Sequence, residues 1–344
     1  MNRLYRSLLL FCFGLVAFCA TSCRKGAYVA PVSTVTVASD ENGLNALFAA
    51  LQSAPQQMTV AAGREQTIYG LYGTKITFYP NSFKDKNGNV LRNGAVNIQL
   101  REIYTVGDMV ANRAATTANG KLLTSGGQVQ ITANANGQEV FANKYGIGFR
   151  HLKPSAQPMT LFYGDNADFV SNWTICGDPQ AGNFVPGTST SADTNVIFVI
   201  TSSGVDTVIT HGIVTNYYQF DSCTNFNWIN CDYFYTSGAQ LTNVKVALPD
   251  STYNQSNTEV FLVFPAINAA SHMTRYNPAT NTFELQNGYY VPIGMQVDVV
   301  VVSKIGVSYY FNSHKGMTTS DNMVVYADMA LVSLDYIRAQ LSAL

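Results

Sequence analysis

Histidine and cysteine are the residue types best suited to act as bases, nucleophiles or metal ligands, and this 344-residue chain has four of the first and six of the second. His151, His211, His272 and His314 stand in separate segments, with no acid or nucleophile at a spacing that marks a catalytic set. There is no Cys-x-x-Cys, and no histidine lies close enough to a cysteine to complete a zinc site. Gly-x-Ser-x-Gly, His-Glu-x-x-His and the phosphate-binding loop are absent as well. The run Asp85-Lys86-Asn87-Gly88-Asn89 begins like a calcium loop, but Val90 and Val96 stand where such a loop needs glycine and a bidentate glutamate. It reads as a hairpin turn. No metal, no cofactor and no catalytic residue is nominated.

Two features hold more interest. If the alternation Val96, Ile98, Leu100 continues, Glu102 points its carboxylate at a core, where an unpaired charge is costly. Neighbouring backbone amides or Arg101 would satisfy it. A hydrolase acting on polysaccharide would need a second carboxylate opposite, and nothing in the sequence nominates one. The second feature is the aromatic run from Tyr217 to Tyr235, interleaved with asparagine and aspartate. Such residues stack on sugar faces when exposed and fill a β core when buried. Trp228, Asp232 and Tyr233 are the candidate binding residues.

The elements that must position these groups are mainly strands. Ile68–Tyr79, Val96–Leu100, Val129–Ala133, Asn195–Thr201, Ile213–Phe220, Val244–Leu248 and Glu259–Phe264 read as strands, as do Tyr289–Ile293, Val297–Ser303 and Val307–Phe311. Asn134-Ala135-Asn136-Gly137 is a second strong turn signal. One helix is expected after Asp40, with Leu44, Leu47, Phe48 and Leu51 on one face; another carries Leu331, Leu334, Ile337, Leu341 and Leu344. The expected fold is mainly β: two antiparallel β-sandwich-like domains, with a short N-terminal helix and a C-terminal helix. The sandwiches span 58–153 and 159–344, separated by Pro154 and Pro158.

At the N-terminus, Arg3 and Arg6 precede the apolar run Leu8–Phe18, and Ala20-Thr21-Ser22 leads into Cys23. A basic segment, an apolar segment and a small-residue exit make a secretory signal peptide over residues 1–22. The run is about 11 residues, against the roughly 20 that span a bilayer. The exit resembles the lipobox of bacterial lipoproteins, which implies acylation of Cys23 and attachment to a membrane, with residues 23–57 as tether and short helix. Of the later cysteines, Cys223 and Cys231 close the shortest loop and are candidate disulfide partners; buried free thiols are the other reading. Charged residues are only 12% of the chain and the formal net charge is −1, so no nucleic-acid partner is expected.

The segment Gly73-Thr74-Lys75-Ile76-Thr77-Phe78-Tyr79-Pro80-Asn81-Ser82-Phe83, the Asp85–Gly88 turn, Ala95–Glu102, Asp108-Met109 and Leu123–Gly127 follow one another in an order that carries a resemblance. Together with Asn227–Asp232, Val263-Phe264-Pro265 and Ser303–Gly306, it resembles uncharacterised exported lipoproteins of Bacteroidota-type bacteria. The first domain is distantly similar to ZU5-type sandwiches. The resemblance implies an envelope lipoprotein and brings no catalytic residues. In such bacteria lysine and acidic residues just after the acylated cysteine accompany surface export. Cys23-Arg24-Lys25-Gly26-Ala27-Tyr28 has no acid, which favours the periplasmic face of the outer membrane. The function expected is binding or scaffolding toward a glycan or an envelope protein, with a polysaccharide hydrolase as the alternative.

Overall fold

The computed structural model describes residues 43–150, 158–165, 169–170, 172–176, 185–186, 195–201, 204–210, 217–286 and 288–344. The leader, Cys23 and its tether, Asp40 and His211 lie outside the described residues. All described residues belong to one compact unit, Ser39–Leu344.

Six strands build the main ladder: β1 (Gln56–Ala61), β2 (Ala95–Ile103), β3 (Lys121–Ala135), β4 (Thr160–Gly164), β5 (Trp173–Ile175) and β6 (Asn227–Phe234). Their order is β1-β2-β3-β6-β4-β5, antiparallel throughout. A five-stranded sheet that includes Gln66–Tyr69, Lys75–Phe78, Tyr145–Arg150 and Tyr217–Cys223 packs against one face of it. Val96, Ile98, Leu100, Val129, Ile131 and Ile229 alternate inward to fill this sandwich. Strands from both sides of Pro154–Pro158 share these two sheets.

A second pair of sheets holds the C-terminal half. Val297–Val302 runs between Thr258–Phe264 and Ser308–Thr318, and is buried on both faces, as its nearly all-apolar character demands; Asp298, its one charged residue, accepts the Gly316 N–H at 2.6 Å. Val260, Leu262 and Phe264 face the sheet containing Val244–Ala247, while Phe261 and Val263 face the other way. On that other side lie three helices, α1 (Gly43–Leu51), α2 (Val106–Ala111) and α3 (Leu334–Ser342). Leu47, Phe48, Met109, Ile337 and Leu341 pack there with Phe162, Trp173 and Trp228 of the first ladder. The layers are therefore sheet, sheet, helices, sheet, sheet. Each fully buried Phe, Leu or Ile in the middle layer contributes about 1.5–3 kcal/mol.

Three expected elements differ in detail. Ile68–Tyr79 is two strands, because the chain turns at Gly70–Gly73 to wrap the Glu102 carboxylate. Leu331 lies in the Ala330–Val332 strand rather than on the last helix, which starts only after Ser333, whose hydroxyl accepts the Tyr336 N–H. Of Tyr289–Ile293, only Val291–Pro292 is strand. The two turn signals hold: Asp85 accepts the N–H groups of Asn87 and Asn89, and Asn136 and Gly137 both take φ near +50° to +75°.

Candidate functional site

The face of the first ladder turned away from its sandwich core carries polar side chains in rows. Because strand partners stand about 4.8 Å apart and same-face residues about 6.8 Å along the strand, alternate residues form a lattice. One row is Thr59–Asn97–Asn134, linked at 2.9 and 3.5 Å; the next is Gln57–Gln99–Thr132, with the Thr132 hydroxyl donating to Gln99 at 3.3 Å. In the third, Arg101 Nη1 donates to Gln130 Oε1 at 2.8 Å, and Gln130 Nε2 reaches Asn227 Oδ1 at 3.4 Å.

Where β3 and β6 begin to pair, at Asn227 opposite Ile131, the rows run into a cleft of about 410 Å³. Gln130 and Thr132 form its floor edge with Asn225 and Asn227, and the half-open ring of Phe141 sits beside Glu139. Asn227 holds a φ of 74°, the left-handed backbone that lets β6 start at this angle. Tyr145 Oη donates to the Asn225 carbonyl at 2.7 Å and fixes the opposite lip. The cleft offers amides, hydroxyls, one carboxylate and, at Phe141, an exposed aromatic face.

No family model matches this chain. Nor does any curated protein. The site must therefore be judged on its own residues.

Trp228 and Asp232, expected at a binding surface, are instead inside: their exposures are 1% and 0%. Both alternate onto the face of β6 turned away from the sandwich core, where Trp228 packs against the helices. Gly164 shows how tight the fit is, since a Cβ there would stand 2.7 Å from Trp228 Cβ. Tyr233 is half-buried against the sandwich core. Trp228 contributes to the cleft only as part of its wall. Cys223 and Cys231 are unbonded and buried, as is Cys176, and burial pushes the Cys223 and Cys231 thiols well above their ordinary pKa. The candidate disulfide gives way to two thiols on strands of opposite sheets.

The carboxylates are held one at a time. Glu102 does face inward, and it accepts the N–H groups of Tyr72 and Thr74 at 2.8 and 2.9 Å and Gln56 Nε2 at 2.8 Å. A Cβ on Gly70 would meet this carboxylate at 2.4 Å. It is a clasp on the 70–74 loop. Asp232 Oδ2 accepts from Asn230, while Oδ1 has no partner. Burial drives its pKa well up, and Ser125, Asn230 and the Gly126 N–H only partly oppose this. Asp232 sits beside a bulge, where Gly126 and Gly127 together face Cys231. Gly127 has φ 131°, and its missing side chain leaves room for the Tyr104 ring.

A third arrangement was hidden in the sequence. Glu259 accepts from His272 through one oxygen and pairs with Arg113 at 3.6 Å through the other. The Arg113 guanidinium lies 5.1 Å from the ring centres of both Phe48 and Phe169, and His272 stacks on Phe261 at 4.7 Å. Burial alone would raise the Glu259 pKa, but His272 and Arg113 hold it below its ordinary value. Arg113, at φ 50°, is the one described residue besides glycine and asparagine in the left-handed region. The cluster joins α1 and the end of α2 to the Thr258–Phe264 strand as a buried tie, and no nucleophile meets it. Among the described residues no group of three or more His, Cys, Asp or Glu could hold a metal ion.

The period-two pattern of Gln128, Gln130, Thr132 and Asn134 against Val129, Ile131 and Ala133 could have pointed to the polar rows. Nothing local could have placed Asn225 or Phe141 beside them.

Proposed function

We propose that this protein is held in the cell envelope by a lipid on Cys23, at the periplasmic side of the outer membrane, and that it binds or scaffolds a glycan or protein partner through the polar rows and their cleft. The observation that carries this reading is the kind of face the ladder leaves open. Thr59, Asn97, Gln99, Thr132 and Asn134 are uncharged donors and acceptors held in register by rigid strands, a recognition surface with no group to drive bond cleavage. Glu139 is the one carboxylate among the described cleft residues, so the paired acids of a glycoside hydrolase have no counterpart there.

Protease shaving of intact cells, with Cys23→Ala alongside, tests the reading. The wild-type chain should fractionate with outer membrane and resist protease until that membrane is opened, and Cys23→Ala should be released in soluble form. If Cys23→Ala stays with the membrane as the wild type does, the anchor is wrong.

A further inference from the structure

We propose that the rows and the cleft together bind an uncharged oligosaccharide chain, a reading that rests on the binding function above and names its ligand. Three observations point to this class.

First, the rows and the cleft themselves hold no free cation; Arg64 and Arg92 stand beyond the Thr59 end of the first row. Arg101 is the only basic side chain in the rows, and its guanidinium is engaged with Gln130 Oε1 at 2.8 Å and the Ser53 carbonyl at 3.2 Å. The cleft has no lysine or arginine among its lining residues. In the cleft a phosphorylated or polyuronate ligand would find only Glu139, which repels it.

Second, the backbone is already used. β2 pairs on both sides, with β1 and β3; beyond Ile131, Ala133 O accepts Val140 N–H and Asn134 pairs with Glu139. A peptide strand cannot add across β2 and β3, so recognition on that part of the face must come from side chains.

Third, those side chains keep capacity to spare in both senses. Gln99 accepts from Thr132 and retains its NH₂, Asn134 accepts from Asn97 and retains its own, and Gln57 makes no side-chain hydrogen bond among the described residues. A ligand that is all hydroxyls, each both donor and acceptor, matches such a lattice. Phe141, 38% exposed, supplies the apolar face on which the C–H side of a sugar ring rests.

The chain would run across β1, β2 and β3 with one ring seated in the cleft against Phe141. The full-length protein is tested by affinity electrophoresis against soluble β-glucan, mannan and xylan, with polygalacturonate as the acidic comparison. Two variants are run beside it, Thr132→Arg and Phe141→Ala, both at exposed positions; unchanged circular dichroism confirms that they fold. At least one neutral polysaccharide should retard the wild type, and each variant should weaken that at least tenfold. Preference for polygalacturonate, or neutral binding that neither variant weakens, overturns the proposal. If no neutral polysaccharide binds but Thr132→Arg abolishes cross-linking to an envelope protein in cells, the oligosaccharide assignment falls and the binding reading survives. If no neutral polysaccharide binds and Thr132→Arg leaves the cross-links unchanged, both fall.

Discussion

Along the outward face of β3, Asn134, Thr132 and Gln130 reach water, whereas Gln128 and Ser125, next on the same face, are buried. The neighbouring strands repeat the contrast. Opposite the open part stand Asn97, Gln99 and Arg101; opposite the covered part stand Asn230 and Asp232. The residue types are alike, and only the cover differs: Ala114, whose carbonyl accepts from Gln128, and Asn268, whose amide reaches the Ser125 carbonyl, close over the second part. In water an amide that lacks a protein partner loses little. Under cover the same gap costs about 1–3 kcal/mol, and Gln128 Oε1 and Asp232 Oδ1 are both such gaps. Polarity alone thus does not distinguish a surface that recognises from a seam that holds the molecule together.

Breaking the buried Arg113–Glu259–His272 tie should have the largest effect. Glu259→Ala leaves Arg113 and His272 without their shared carboxylate, and removal of one partner from such a buried set costs about 3–5 kcal/mol. Urea unfolding would measure it; a loss below about 1 kcal/mol would mean the cluster is slack.

Asp232 sharpens the comparison through pH. Its folded pKa is raised, so the folded state binds more protons than the unfolded state above the unfolded carboxyl value of about 3.9. Its contribution to stability is therefore full at low pH and falls as pH rises through that window, by up to about 1.4 kcal/mol per unit until the folded pKa is reached. Glu259 works in the opposite sense: with its folded pKa lowered, its contribution is present at neutral pH and lost as pH drops. Asp232→Asn should remove the decline above about pH 4 and fold as well as wild type at pH 7, whereas Asp232→Ala should cost about 1–3 kcal/mol. Equal pH profiles for wild type and Asp232→Asn would show that Asp232 does not carry a proton in the fold.

Much of the fold was legible because it rests on period two. Val96, Ile98 and Leu100 against Asn97 and Gln99, and the Asn136–Gly137 turn, announce themselves locally. The inward aim of Glu102 followed from the same alternation. What did not show was cover. The helices that bury Trp228 come from residues 43–51, 106–111 and 334–342, and the cover over Asp232 comes from segments as distant; no feature of the aromatic run itself says which face they will meet. The Arg113–Glu259–His272 tie and the Asn225–Phe141 cleft escaped for the same reason, since each joins residues far apart in the chain. Pairing a β-rich sequence within strands is a local problem. Stacking its sheets is not.

The smallest effect on stability is expected at the open rows. Thr132→Ala and Asn97→Ala should each change unfolding free energy by no more than about 0.5 kcal/mol, because water replaces what is lost. A cost above about 1.5 kcal/mol would mean that the rows hold the ladder together, and would blur the distinction drawn between the two regions.

Hydroxyl-radical footprinting of the full-length protein, with and without a neutral polysaccharide that retards it, tests that distinction most directly. Phe141 in the cleft should become protected, while Tyr326 and Leu331, 76% and 68% exposed on the far sheets, should react as before. Protection of Tyr326 or Leu331 with Phe141 unchanged would place the recognition surface elsewhere and contradict the account.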